Sequence, residues 1–155
     1  MTAENSEPAF PVRPFASDAA VRRVTARLLD RTLPRAEWTH EAHLAACGCL
    51  LAEYPDVVPE RDLPGTIRAY NVAVGGVNDA TQGYHETITQ FYIAAVRAHL
   101  AQDGQGTLAE RVNRLLAGPR GARDYPLRFW SRERLFSPEA RLGWVEPDLA
   151  PLSQA

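Results

Sequence analysis

The stretch Tyr84–Gln102, YHETITQFYIAAVRAHLAQ, decides the fold class. Ile88, Tyr92, Ala95 and Val96 recur on one face at helical spacing and Gly104 closes the pattern, which predicts one long helix. Upstream, Gly75 and Gly76 mark a helix end and a loop reaching Gly83. Before them, Asp62 with Pro64 in the first turn opens a helix carrying Ile67, Tyr70 and Val74 on one face. Thr39 caps a further helix through Leu44, Leu50 and Leu51 to about Tyr54, where Pro55 forbids continuation. Ser17 caps the first helix, with Ala20, Val21, Val24, Leu28 and Leu29 on one face and Pro34 beyond it. Downstream, the capping box Thr107 to Glu110 starts a helix with Leu108, Val112, Leu115 and Leu116 inward, ended by Gly118 and Pro119.

Past Pro119 the periodicity weakens. Tyr125, Phe129 and Trp130 supply aromatic mass, and Ser137, Pro138 and Glu139 open one more short helix. No stretch alternates as a strand does. The expectation is an all-α protein: an up-and-down helix bundle of about five helices, with a C-terminal segment packed over one end. Pro8, Pro11 and Pro14 mark residues 1–16 as an extended or disordered arm, leaving 17–155 as a single helical domain.

Composition narrows the function. The chain has 155 residues, 45% of them hydrophobic, enough for one domain with its own core. A formal net charge of -2, with basic residues scattered along the chain, argues against a nucleic-acid partner. All 17 basic residues are arginine, so chemistry that needs a lysine, such as a Schiff base or a P-loop, is excluded. No apolar run approaches the ~20 residues of a membrane span, and the N-terminus does not read as a signal peptide. Cys47 and Cys49 diverge around a helix, so they are expected as free thiols in a reducing cytoplasm. Cys47 shares a face with His43 but is expected to pack rather than ligate.

Three of the four histidines fall at two predicted helix starts, Trp38-Thr39-His40-Glu41-Ala42-His43-Leu44 and Gly83-Tyr84-His85-Glu86-Thr87. His40 and His43, three residues apart, project about 60° from one another, close enough for both rings to reach one ion. Short connections make successive helices antiparallel, so the second and fourth run the same way and bring His40, His43 and His85 to one end of the bundle. His99 stands about 21 Å along the axis from His85 and is outside any such cluster. The helix dipole disfavours protonated imidazole there and keeps these side chains neutral, as ligands must be.

The segments Trp38–Leu44, Ile67–Asn71 (IRAYN), Gly83–Thr89 (GYHETIT) and Ser131–Arg141 (SRERLFSPEAR) resemble those of a family of small uncharacterised bacterial proteins. The resemblance spans most of the chain after the arm and implies that these segments form one design, without implying an activity. In architecture alone the chain resembles the DinB-like bundles, which bind a divalent metal through three histidines at one end, at a different histidine spacing.

The reading that results is a metal-dependent enzyme acting on a small molecule, with one divalent ion on His40, His43 and His85 and open positions for water and substrate. Zinc would serve a hydrolase or lyase. Iron or copper at the same site would serve an oxidoreductase, and manganese and nickel are compatible with the same donors. Glu86, Glu41 and Tyr84 are the candidate catalytic groups. Trp38, Arg68, Tyr70, Asn71, Tyr92 and Arg132 are the candidate substrate contacts, the arginines by gripping a carboxylate. A homodimer is compatible with the sequence. The rival reading is a non-catalytic bundle that binds a small molecule or a partner chain, with the histidines as caps and core residues.

Overall fold

The computed structural model describes residues 12–155, so the arm reading for residues 1–11 lies outside the described residues. The described chain is all-helical: α1 (Asp18–Leu29), α2 (His40–Glu53), α3 (Pro59–Ala73), α4 (Glu86–Gln102), α5 (Leu108–Ala117), and the short α6 (Arg132–Leu135) and α7 (Pro138–Leu142). Single 3-10 turns join several of them. No helix among the described residues is long and apolar enough to cross a membrane.

The capping residues act as the sequence implies. The side chains of Ser17, Thr39, Thr107, Ser131 and Ser137 each accept a backbone N–H of the first turn that follows. Two starts differ from expectation. α3 begins at Pro59, before Asp62, because the Asp62 carboxylate reaches back 2.9 Å to the N–H of Val58 and holds the turn from within. Pro64, inside α3, has no N–H for the carbonyl of Glu60, and the Gln90 side-chain amide of α4 takes up that carbonyl at 3.0 Å. α4 begins at Glu86, with His85 as its cap rather than its second residue.

α2 is the central element. It is buried almost all round from Glu41 to Leu50, His43 alone half-buried, and it packs on α1, α3, α4 and α5. Such a helix can only be interior. Its small residues Ala45, Ala46, Cys47, Gly48 and Cys49 let neighbours approach closely; a Cβ on Gly48 would lie 3.7 Å from Val96 and 3.5 Å from Val112. His43 and Leu44 stand by Ile88 and Tyr92, and Gly48 by Val96, so α2 and α4 run in the same direction. Both cysteines are free and buried.

The domain is larger than expected at its N-terminal edge and more integrated at its C-terminal one. Phe15 exchanges two 2.8 Å hydrogen bonds with the Asn113 side chain and packs on the core, so the last residues assigned to the arm are docked. The C-terminal segment does more than drape. Trp130 is fully buried, sits 5.1 Å edge-on from Phe91 of α4, and donates from Nε1 to the carbonyl of Val145 at 3.0 Å. The buried hydroxyl of Thr87 ties the same segment down, donating to the Gly143 carbonyl at 2.8 Å and accepting from the N–H of Val145 at 3.2 Å.

Candidate functional site

Parallel packing of α2 and α4, with α3 across them, leaves a cavity of about 300 Å³. Buried Leu44, Cys47, Leu63, Ile67 and Ile93 make its depth, and half-buried Trp38, His43, Ile88 and Thr89 its accessible side. His40 and Tyr92 complete the wall. The lining is mostly apolar with a few polar groups, as small-molecule sites are.

The two imidazoles are held in defined tautomers. His43 Nδ1 lies 2.7 Å from the carbonyl of Thr39 one turn below, so Nδ1 carries the proton and Nε2 keeps its lone pair. Trp38 stacks on this ring with centroids 3.6 Å apart and is itself backed edge-on by Tyr70 at 5.5 Å. His40 donates from Nε2 to the carbonyl of Gly121 at 2.8 Å, which leaves Nδ1 as its acceptor. Gly121 packs so tightly over Leu115 and Leu116 that a Cβ there would overlap the Leu115 carbonyl, so this acceptor is positioned by close backbone approach. Tyr92 meets His40 edge-on at 5.4 Å and donates to the carbonyl of Ala122 at 2.5 Å.

Burial sets the charge states. It pushes the His43 imidazole down to about 4, with His40 and Arg123 adding to the effect and the Thr39 carbonyl opposing it. His40 is lowered for the same first reason. Burial also pushes the Cys47 thiol up to about 12 and raises the Tyr92 phenol. Near neutral pH the cavity therefore presents neutral imidazoles, a protonated thiol and a protonated phenol.

His85 is elsewhere. Its Nδ1 accepts the N–H of Ile88 at 3.1 Å, capping α4, and its Nε2 donates to the Leu135 carbonyl on α6 at 2.7 Å. Both ring nitrogens are committed, so His85 has no lone pair to offer alongside His40 and His43. Among the described residues no three His, Cys, Asp or Glu side chains are placed to hold one ion together. The expected three-histidine centre does not fit this arrangement. The parallel helices expected from the connectivity are present, but the His85 ring folds back over its own helix end.

The other predicted site residues disperse. Tyr84 donates to Glu86 Oε2 at 2.9 Å while the Arg68 guanidinium lies 4.4 Å over the Tyr84 ring and 4.0 Å from Glu86, a group outside the cavity. Asn71 donates to the Asn78 side chain, which also accepts from the N–H of Tyr84, so Asn71 organises the 75–83 loop. Tyr70 is fully buried and donates to the Leu33 carbonyl at 2.8 Å. Glu41 and Arg132 both line a second cavity. His99 donates to the carbonyl of Arg111 at 2.9 Å and lines neither of these two cavities. Sequence reading missed Leu63 and Ile88 as cavity walls, since their spacing says only that they face inward.

Compared with known proteins, the chain matches no family model, no curated protein and no solved structure.

Proposed function

We propose that this protein binds a small, largely apolar molecule in the cavity between α2, α3 and α4, with His43 Nε2 accepting a hydrogen bond from the ligand's polar group. The observation that carries this reading is the pairing of an apolar cavity with two imidazoles of fixed tautomer. The charge states favour holding a ligand over proton transfer. A base near 4 is too weak to abstract protons effectively at neutral pH, and a thiol near 12 is a poor nucleophile. Binding apolar ligands of stated polarity tests it. Phenol and indole, each with one donor, should raise the melting temperature saturably, and toluene less so. Ile88→Trp, which fills the accessible side of the cavity, should abolish the effect. Absence of saturable stabilisation by any of the three, or its persistence in the Ile88→Trp variant, would overturn the reading.

A second reading rests on one further observation: His40 and His43 each have one ring nitrogen fixed by a backbone carbonyl, the orientation that metal-ligating histidines use. In this reading the pair would hold a divalent ion, zinc or iron, which would supply Lewis acidity. Zinc titration of untagged protein separates the readings. One equivalent bound, lost in His40→Ala and His43→Ala but kept in His85→Ala, supports the metal reading. Equal loss in all three folded variants would reinstate the three-histidine centre.

A further inference from the structure

A second cavity, of about 740 Å³, shares His40 with the first and is otherwise lined by different residues. Glu41, in the first turn of α2, is in its wall. Its side chain is only 6% exposed, and Oε2 has no hydrogen-bond partner. The Arg123 guanidinium stands 3.6 Å from that oxygen, near enough to offset charge but too far to donate a hydrogen bond. A buried carboxylate that lacks a donor is an arrangement a ligand can complete.

The same lining holds Arg132, an exposed side chain whose guanidinium makes no hydrogen bond or ion pair with the described residues. Asp124 is the remaining charged group of the wall. Two acids and two arginines leave the cavity with no formal net charge, since burial keeps His40 neutral. Leu116, Leu127 and Phe136 supply an apolar surface beside these groups.

We propose that this cavity binds a zwitterionic, amino-acid-type ligand with an apolar side chain: its ammonium donates to Glu41, its carboxylate is received by Arg132, and its side chain lies on Leu116, Leu127 and Phe136. A ligand with a cation alone would satisfy Glu41 but leave the Arg132 guanidinium without an anion. A ligand with an anion alone would leave Glu41 Oε2 without a hydrogen-bond donor and add a like charge beside it. A dipolar ligand satisfies both groups. The site shares only His40 with the apolar cavity described above, and none of the residues that would hold the ligand.

Titration calorimetry on the full chain with leucine, leucinamide and 4-methylpentanoate tests the proposal. Leucine should bind at least tenfold more tightly than either single-charge analogue. Glu41→Gln should remove its advantage over 4-methylpentanoate, and Arg132→Ala its advantage over leucinamide. Binding should survive in Ile88→Trp, so the failure of one cavity is distinguishable from the failure of the other. Circular dichroism controls for folding. Should Glu41→Gln not fold, Arg132→Ala, at an exposed position, decides alone. Leucine binding no more tightly than its analogues, an advantage over leucinamide that persists in Arg132→Ala, or no heat at millimolar leucine, phenylalanine or methionine would each overturn the proposal.

Discussion

At His85 one ring makes two connections that no single ordinary capping residue could make: it accepts from Ile88 and donates to Leu135, joining the start of α4 to α6. His85→Asn keeps an acceptor for Ile88 and should cost less than His85→Ala, which loses both bonds and should destabilise by about 1–3 kcal/mol in urea melts. Equal costs would show that the cap contributes nothing. Protonation threatens the same bonds, because a charged imidazole cannot accept. His40, His43 and His85 are all lowered by burial, so each binds its proton more weakly in the folded chain than in the unfolded one. Their contribution is complete above about 6.5, the unfolded value, and is lost as pH falls; for His43 the loss runs down to about 4 and amounts to at most about 3 kcal/mol. Urea melts between pH 7 and 4.5 should show this loss, and His43→Gln should lessen it. A slope unchanged by that substitution would mean that other groups govern acid sensitivity.

At the scale of elements, what the sequence made readable was whatever follows from spacing and small polar caps. Ser17, Thr39, Thr107 and Ser137 start helices where their residue types say they should. The start of α3 carries no such sign, because Val58 has no capping side chain and the carboxylate that holds its N–H lies inside the helix. The course of the His85 ring is illegible for a related reason: the parallel course of α2 and α4 follows from connectivity, but whether a ring at a helix start points into the bundle or back over its own turn has no periodic signature. The docking of Phe15 was equally invisible, since it depends on Asn113, 98 residues away. Asn113→Ala breaks both Phe15 bonds and should cost about 1–2 kcal/mol. Asn113→Asp keeps the acceptor and loses the donor, and should fall between Asn113→Ala and wild type. A neutral Asn113→Ala would mean that the segment at Phe15 rests on the bundle without stabilising it.

Across the whole molecule, the core runs without a break from Val21 on α1 to Leu135 on α6, with Trp130, Phe129 and Tyr125 joined to α4 through Phe91. The C-terminal segment was expected to cover a finished bundle. It instead supplies the partners for side chains that α4 buries: the Gly143 carbonyl and Val145 N–H for Thr87, and the Leu135 carbonyl for His85. Removing it would expose Phe91 and leave the buried Thr87 hydroxyl and the His85 ring without those partners. Both effects are of the size that single core substitutions produce, a few kcal/mol each, against a total stability of about 5–15 kcal/mol for a domain. The segment and the helices should therefore fold as one cooperative unit. Deleting residues 125–155 is expected to give a chain with no sharp thermal transition, while Trp130→Ala in the full chain should lower stability by about 3–5 kcal/mol and keep a single transition. A truncated chain that melts cooperatively near the temperature of the full chain would show that α1 to α5 form the domain by themselves, with the remainder as a cover. Two separate transitions in the full chain would likewise show that the unit is divisible.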